Sequence, residues 1–121
     1  MNEMVLKIAQ ILYDKKAKDI VALNVKDLTV ITDCMLIATG RSTIQVRTLA
    51  DEVEERMTEE MGMDPIRKEG QQEGRWIVLD YGEVLVHIFH MEERDFYRLD
   101  KLWEMGQNRI PLPFDNDGDD A

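Results

Sequence analysis

A single α/β domain, built on a mixed β-sheet of about five strands flanked by helices, is the fold this sequence predicts, and three observations predict it. Apolar runs of strand length alternate with stretches of helical period. One long amphipathic stretch, residues 42–62, carries both a start and a stop signal. Two apolar strand-like runs, WIVLD and EVLVHIF, meet at Tyr81-Gly82, the pattern of a β-hairpin. The 121 residues suffice for one core and not for two.

The elements follow in chain order. Asn2 can cap a first helix whose apolar positions Val5, Ile8, Ala9 and Leu12 recur at helical spacing, with Lys15, Lys16 and Lys18 where a helix C-terminus favours positive charge. Residues 19–25, DIVALNV, are β-branched and short, as a strand is. CMLIAT, from Cys34 to Thr39, is apolar throughout and predicts a central strand buried on both faces. Ser42 and Gln45 form a capping-box pair opening the next helix. Its inner stripe is Val46, Leu49, Ala50, Val53, Met57 and Met61, its wet side Asp51, Glu52, Glu54 and Glu55, and its stop Gly62. PIRKE, residues 65–69, is polar and starts with proline, as edge strands do; parallel to the central strand, it would complete a right-handed crossover.

With a two-residue turn at Tyr81-Gly82, the hairpin pairs Asp80 with Glu83, Leu79 with Val84, Val78 with Leu85, Ile77 with Val86 and Trp76 with His87. Alternation then sends Ile77, Leu79, Val84, Val86 and Ile88 to the core. The opposite face carries Trp76, Val78, Asp80, Glu83, Leu85, His87 and Phe89, a mixture that packing alone does not require. Beyond His90 the helical period returns, with Phe96, Leu99, Leu102 and Trp103 along one side of a single helix ended by Gly106. The last residues, PLPFDNDGDDA, hold two prolines and four aspartates, so the folded domain is expected over residues 1–109 and an acidic disordered tail over 110–121.

Composition narrows the function. A net charge of −10 disfavours a groove that tracks nucleic-acid phosphates and suits a basic protein partner. A lone Cys34 excludes an intrachain disulfide and fits a reducing compartment, in an apolar run that makes it a packed thiol. No run reaches membrane-span length and the first residues lack a signal-peptide layout, so a cytoplasmic location is expected. His87 and His90, three apart on a strand, point to opposite faces and lack the further ligands of a metal site. Gly40, Gly62 and Gly82 punctuate elements and cradle no phosphate. Asp80 and Glu83 could act as an acid–base pair, but nothing nearby supplies a nucleophile or electrophile. They serve better as a polar rim beside Trp76, which reads either as a covered core residue or as an interface hot spot.

The succession TDCMLIATG, SxxQV opening a helix, IRKEG, WIVLDYGEVLVHIF and RDFYRLDKLW resembles the ribosomal silencing factor S, or Iojap, family over about residues 4–104. Cys34-Met35 stands where the family often has aromatics, and Glu83 replaces a common Asp. The resemblance implies a nucleotidyltransferase-like fold without that enzyme's catalytic carboxylates. It also implies binding to the large ribosomal subunit through its fourteenth protein, blocking the small subunit, with no enzymatic activity and no cofactor, and a homodimer when free. Partner-contacting positions of the family match Trp76, Asp80 and Tyr81; Glu83, Leu85 and His87 are added from the hairpin faces. The alternative is a small nucleotide-handling enzyme of the same fold with Asp80 and Glu83 holding a metal.

Overall fold

The computed structural model describes residues 3–115. Its elements are α1 (Glu3–Asp14), β1 (Lys18–Asn24), β2 (Cys34–Gly40), α2 (Thr43–Met61), β3 (Arg67–Glu69), β4 (Trp76–Asp80), β5 (Val84–His90), α3 (Met91–Tyr97), α4 (Leu99–Trp103) and β6 (Arg109–Ile110). The strands form one six-stranded sheet in the order β3-β4-β5-β2-β1-β6. Only β2 and β5 run parallel; the other neighbours are antiparallel. β2 is buried along its whole length, as its unbroken apolar run requires.

One face of the sheet carries the main core. Ile77, Leu79, Val84, Val86 and Ile88 from the hairpin meet the apolar stripes of α1 and α2 there. Each large aliphatic side chain removed from water contributes about 1.5–3 kcal/mol. The caps of α2 act as its sequence requires. Ser42 Oγ accepts the Gln45 N–H at 3.0 Å, and Gly62 ends the helix with a left-handed φ of 65°. Gln45 does reach back, but to the Arg41 N–H at 2.6 Å. The opposite face holds a smaller cluster, Val21, Leu23, Val25, Met35, Ile37 and Phe89, on which Trp76, Leu85, Leu99 and Trp103 pack.

Two expectations are corrected. The mixed sheet, expected with about five strands, has six. The sixth comes from the segment expected to be a disordered tail: Ile110 pairs with Ala22, Leu112 and Phe114 are buried, and Phe114 stacks on Tyr13 with ring centroids 4.2 Å apart. The folded part therefore runs past residue 109 to at least 115, while residues 116–121 and the cap assigned to Asn2 lie outside the described residues. β3 is antiparallel to β4 and therefore runs parallel to β2 two strands away, so β2, α2 and β3 do form a crossover, one that passes over β5 and β4.

The second correction concerns residues 91–105. The expected continuous helix is two short ones, broken at Arg98, whose φ is 51°. The reason lies in Arg94, which turns inward: its Nη1 donates to Thr39 Oγ1 at 2.7 Å and its Nε to Asp100 at 3.4 Å. The break lets Leu99 and Trp103 reach the second cluster and leaves Phe96 and Leu102 in solvent. No helix among the described residues is long and apolar enough to cross a membrane.

Candidate docking face of the hairpin

The hairpin forms, with its turn one residue later than the sequence suggests. Trp76 pairs with Phe89, Ile77 with Ile88, Val78 with His87, Leu79 with Val86 and Asp80 with Leu85. Tyr81 continues the ladder, its N–H donating to the Val84 carbonyl at 2.9 Å, so the turn is Gly82-Glu83. Gly82 takes φ 86°, the positive value that primed hairpin turns demand of their first central residue. Because the opposite partner moves by two residues, no side chain of β4 or β5 changes face.

The six predicted site residues therefore divide. Trp76, Asp80, Leu85 and His87 alternate onto one face of the sheet, as expected. Tyr81 does not join them. It is buried in the main core on the α1–α2 side, and burial, with Glu54 and Asp64 adding to it, pushes its phenol well above the usual range. Its side chain thus lies on the opposite side of the sheet from Trp76. Glu83 is exposed in the turn and faces neither Asp80 nor the sheet. Its carbonyl accepts the Asp33 and Cys34 N–H groups at 3.2 and 2.9 Å, tying the turn to the start of β2.

The facing pair Asp80–Glu83 is thus absent, and with it the acid–base and metal readings built on that pair. Asp80 Oδ1 accepts the Gly82 N–H at 2.8 Å, while Oδ2 lies 3.8 Å from the Arg67 guanidinium. It shapes the turn and ends the face with a half-buried carboxylate. His90, Glu92 and Glu93 do come close enough to share an ion, but Arg75 holds both carboxylates at 2.7 Å and His90 Nδ1 caps α3. A cation already fills that role. The Cys34 thiol is buried, and burial raises its pKa, which suits packing and not nucleophilic attack.

Trp76 is the centre of the face. Its ring lies 4.8 Å from Phe89 and 4.9 Å from Tyr97 of α3, and its Nε1–H donates to His87 Nδ1 at 3.1 Å. Half-buried, it is neither a covered core residue nor a free hot spot: one side belongs to the second cluster and the rest meets solvent. His87 is buried, and burial alone lowers its pKa to about 4, so the ring is neutral at physiological pH and offers a partner no charge.

Residues outside the six predicted ones complete the surface. Val78, half-buried, lies between Trp76 and Asp80. Tyr97 extends the aromatic group, and Phe96 stands edge-on to it at 5.0 Å in open solvent. The adjacent Phe96-Tyr97 pair was visible, but a continuous helix would have turned Phe96 inward. The arrangement amounts to an apolar and aromatic strip, Trp76, Val78, Leu85 and Tyr97, ended by Asp80. It has the makeup of an interface core with an acidic end.

The family model described as ribosomal silencing factor during starvation matches residues 1–120. Among curated proteins, the ribosomal silencing factor RsfS of Halalkalibacterium halodurans is 44% identical over 90 residues, covering 74% of this chain and 76% of the relative. The RsfS of Bacillus subtilis is 41% identical over 105 residues, covering 85% and 88%. Among solved structures, a Chromobacterium violaceum protein superposes with a TM-score of 0.80 at 34% identity, covering 93% of this chain and 94% of its own. A Bacillus halodurans protein does so at 0.76 and 38% identity, covering 92% and 100%.

Proposed function

This chain belongs to the ribosomal silencing factor family, and from that premise we propose that it docks on the large ribosomal subunit through the Trp76 face of its hairpin. The family's role is ribosome-associated silencing of translation, and its members are named as silencing factors and not as enzymes. In the finer reading the target is a basic protein of the large subunit, its fourteenth, and the bound factor sterically prevents joining to the small subunit. A docking module needs no catalytic centre. It acts in the cytoplasm, and the free protein forms a homodimer.

The observation that carries the reading is Trp76 itself: a tryptophan held rigidly by Phe89, Tyr97 and His87 yet left partly open beside Val78, Leu85 and the Asp80 carboxylate. A preorganised aromatic loses little conformational freedom on binding, which is why such residues dominate interface energetics. The net charge of −10 supports a basic protein over bare RNA as the surface approached.

The test is a pull-down of purified large subunits, with and without the fourteenth protein, using the parent and Trp76→Ala. Binding by the parent to complete subunits only, and a loss of at least about thirtyfold for Trp76→Ala, is the expected result. Because Trp76 also packs internally, the variant's folded fraction must be measured alongside. Equal capture of subunits lacking that protein would sink the assignment of partner, and undiminished binding by folded Trp76→Ala would sink the assignment of face.

A further inference from the structure

We propose that His87 is a positioning residue: it fixes the orientation of the Trp76 indole and makes no contact of its own with the partner. The inference rests on the docking reading of the Trp76 face and says how that face is built. Trp76 and His87 are diagonal neighbours on adjacent strands, joined by the Nε1–H to Nδ1 hydrogen bond of 3.1 Å. An acceptor at Nδ1 leaves the proton of the neutral ring on Nε2. That Nε2 is buried and has no hydrogen-bond partner among the described residues.

A buried donor without an acceptor disfavours the fold, and an apolar ring of similar shape would remove the penalty. Stability alone therefore argues against histidine at this position, which is 6% exposed and set among Trp76, Phe89 and Ile37. What histidine supplies is direction. Stacking on Phe89 and Tyr97 engages the ring faces in either of the two flipped orientations of an indole, since the torsion that turns the ring is broad and roughly two-fold. The hydrogen bond selects one.

A second consequence concerns the partner. The single donor of Trp76 is spent inside the molecule, so an arriving surface meets only the carbon rim and face of the indole. The group that fits is an aliphatic side chain or a flat cation such as a guanidinium, and not a hydrogen-bond acceptor.

The experiment compares the full-length parent, His87→Phe and His87→Asn, the last returning an acceptor near the Nδ1 position. Three quantities are read: the thermal midpoint, the solvent exchange of the Trp76 indole N–H by NMR, assigned with Trp103→Phe, and affinity for purified large subunits. His87→Phe is expected to melt at or above the parent temperature while its indole N–H exchanges faster and its affinity falls about three- to tenfold, the effect of one hydrogen bond. His87→Asn should recover slow exchange and part of the affinity. A folded His87→Phe that binds like the parent overturns the proposal, as does a lowered midpoint in both variants, which would make His87 an ordinary core residue. If the parent itself fails to bind subunits, the docking reading falls, and the exchange measurement still decides whether His87 orients Trp76.

Discussion

Two phenylalanines reverse the roles that the sequence suggests, and exchanging each for alanine tests the fold directly. Phe114 sits in a segment read as a disordered tail yet is 7% exposed and stacked on Tyr13 at 4.2 Å, the planes 10° apart. Phe96 belongs to a helix stripe yet is 79% exposed. Truncating a buried Phe costs about 3–5 kcal/mol, and a site near the end of the described segment relaxes enough to place Phe114→Ala near about 3. That is a large share of the roughly 5–15 kcal/mol that holds a domain together. At roughly 4 °C per kcal/mol for a chain of this size, the midpoint should fall by about 12 °C. Phe96→Ala should stay within about 0.5 kcal/mol of the parent. Urea and thermal unfolding of the two variants side by side is the assay. Equal midpoints for both, or a larger loss for Phe96→Ala, would refute the packing of residues 110–115 and restore the disordered tail.

Three further outcomes are expected. Subunit binding should weaken with salt, but with a slope of log affinity on log salt shallower than that of a protein making about 6–10 phosphate contacts; a slope that steep would mean direct RNA binding. His87, with a folded pKa of about 4 against an ordinary 6.5, binds its proton more readily unfolded. The parent's stability is therefore unaffected by this group above pH 6.5 and falls as pH drops toward 4, by on the order of 3 kcal/mol, so parent and His87→Phe stabilities plotted against pH should diverge below 6.5; parallel curves would refute it. Gly70 has φ 87°, and a Cβ there would lie 2.0 Å from the Trp76 carbonyl oxygen, so Gly70→Ala should cost at least about 2 kcal/mol and disturb the start of β4. An unfolding midpoint matching the parent's would show that the turn holds no such constraint.

How much of this was legible depended on how many residues repeated each signal. The stripe of α2 recurs five times between Val46 and Met57, and β2 is apolar at nearly every position, so isolated exceptions could not obscure them. The hairpin was legible in its faces and not in its turn. Tyr81-Gly82 and Gly82-Glu83 both bring a glycine to the bend, and only the demand for positive φ at the first central residue favours the second. That one step took Tyr81 out of the turn and into the main core, and put Glu83 in the turn in its place. The break at Arg98 had no local mark, neither glycine nor proline, because its cause is a contact between Arg94 and Thr39 far away in sequence. The packed end did leave a trace: Ile110, Leu112 and Phe114 alternate with period two, but the prolines between them and the aspartates after them read as disorder.

The placement of β6 has a consequence for how the molecule is made. Leu23 waits for Arg109, and Tyr13 for Phe114, so one border of the sheet and part of the underside of α1 are completed by residues synthesised long after the elements they join. A growing chain that already holds β1 through β5 still presents the open backbone of β1. Closure of that border is a late, long-range step, the kind that slows folding because the ends must meet before any contact rewards them. Until then β1 is the strand to which a stray chain can add.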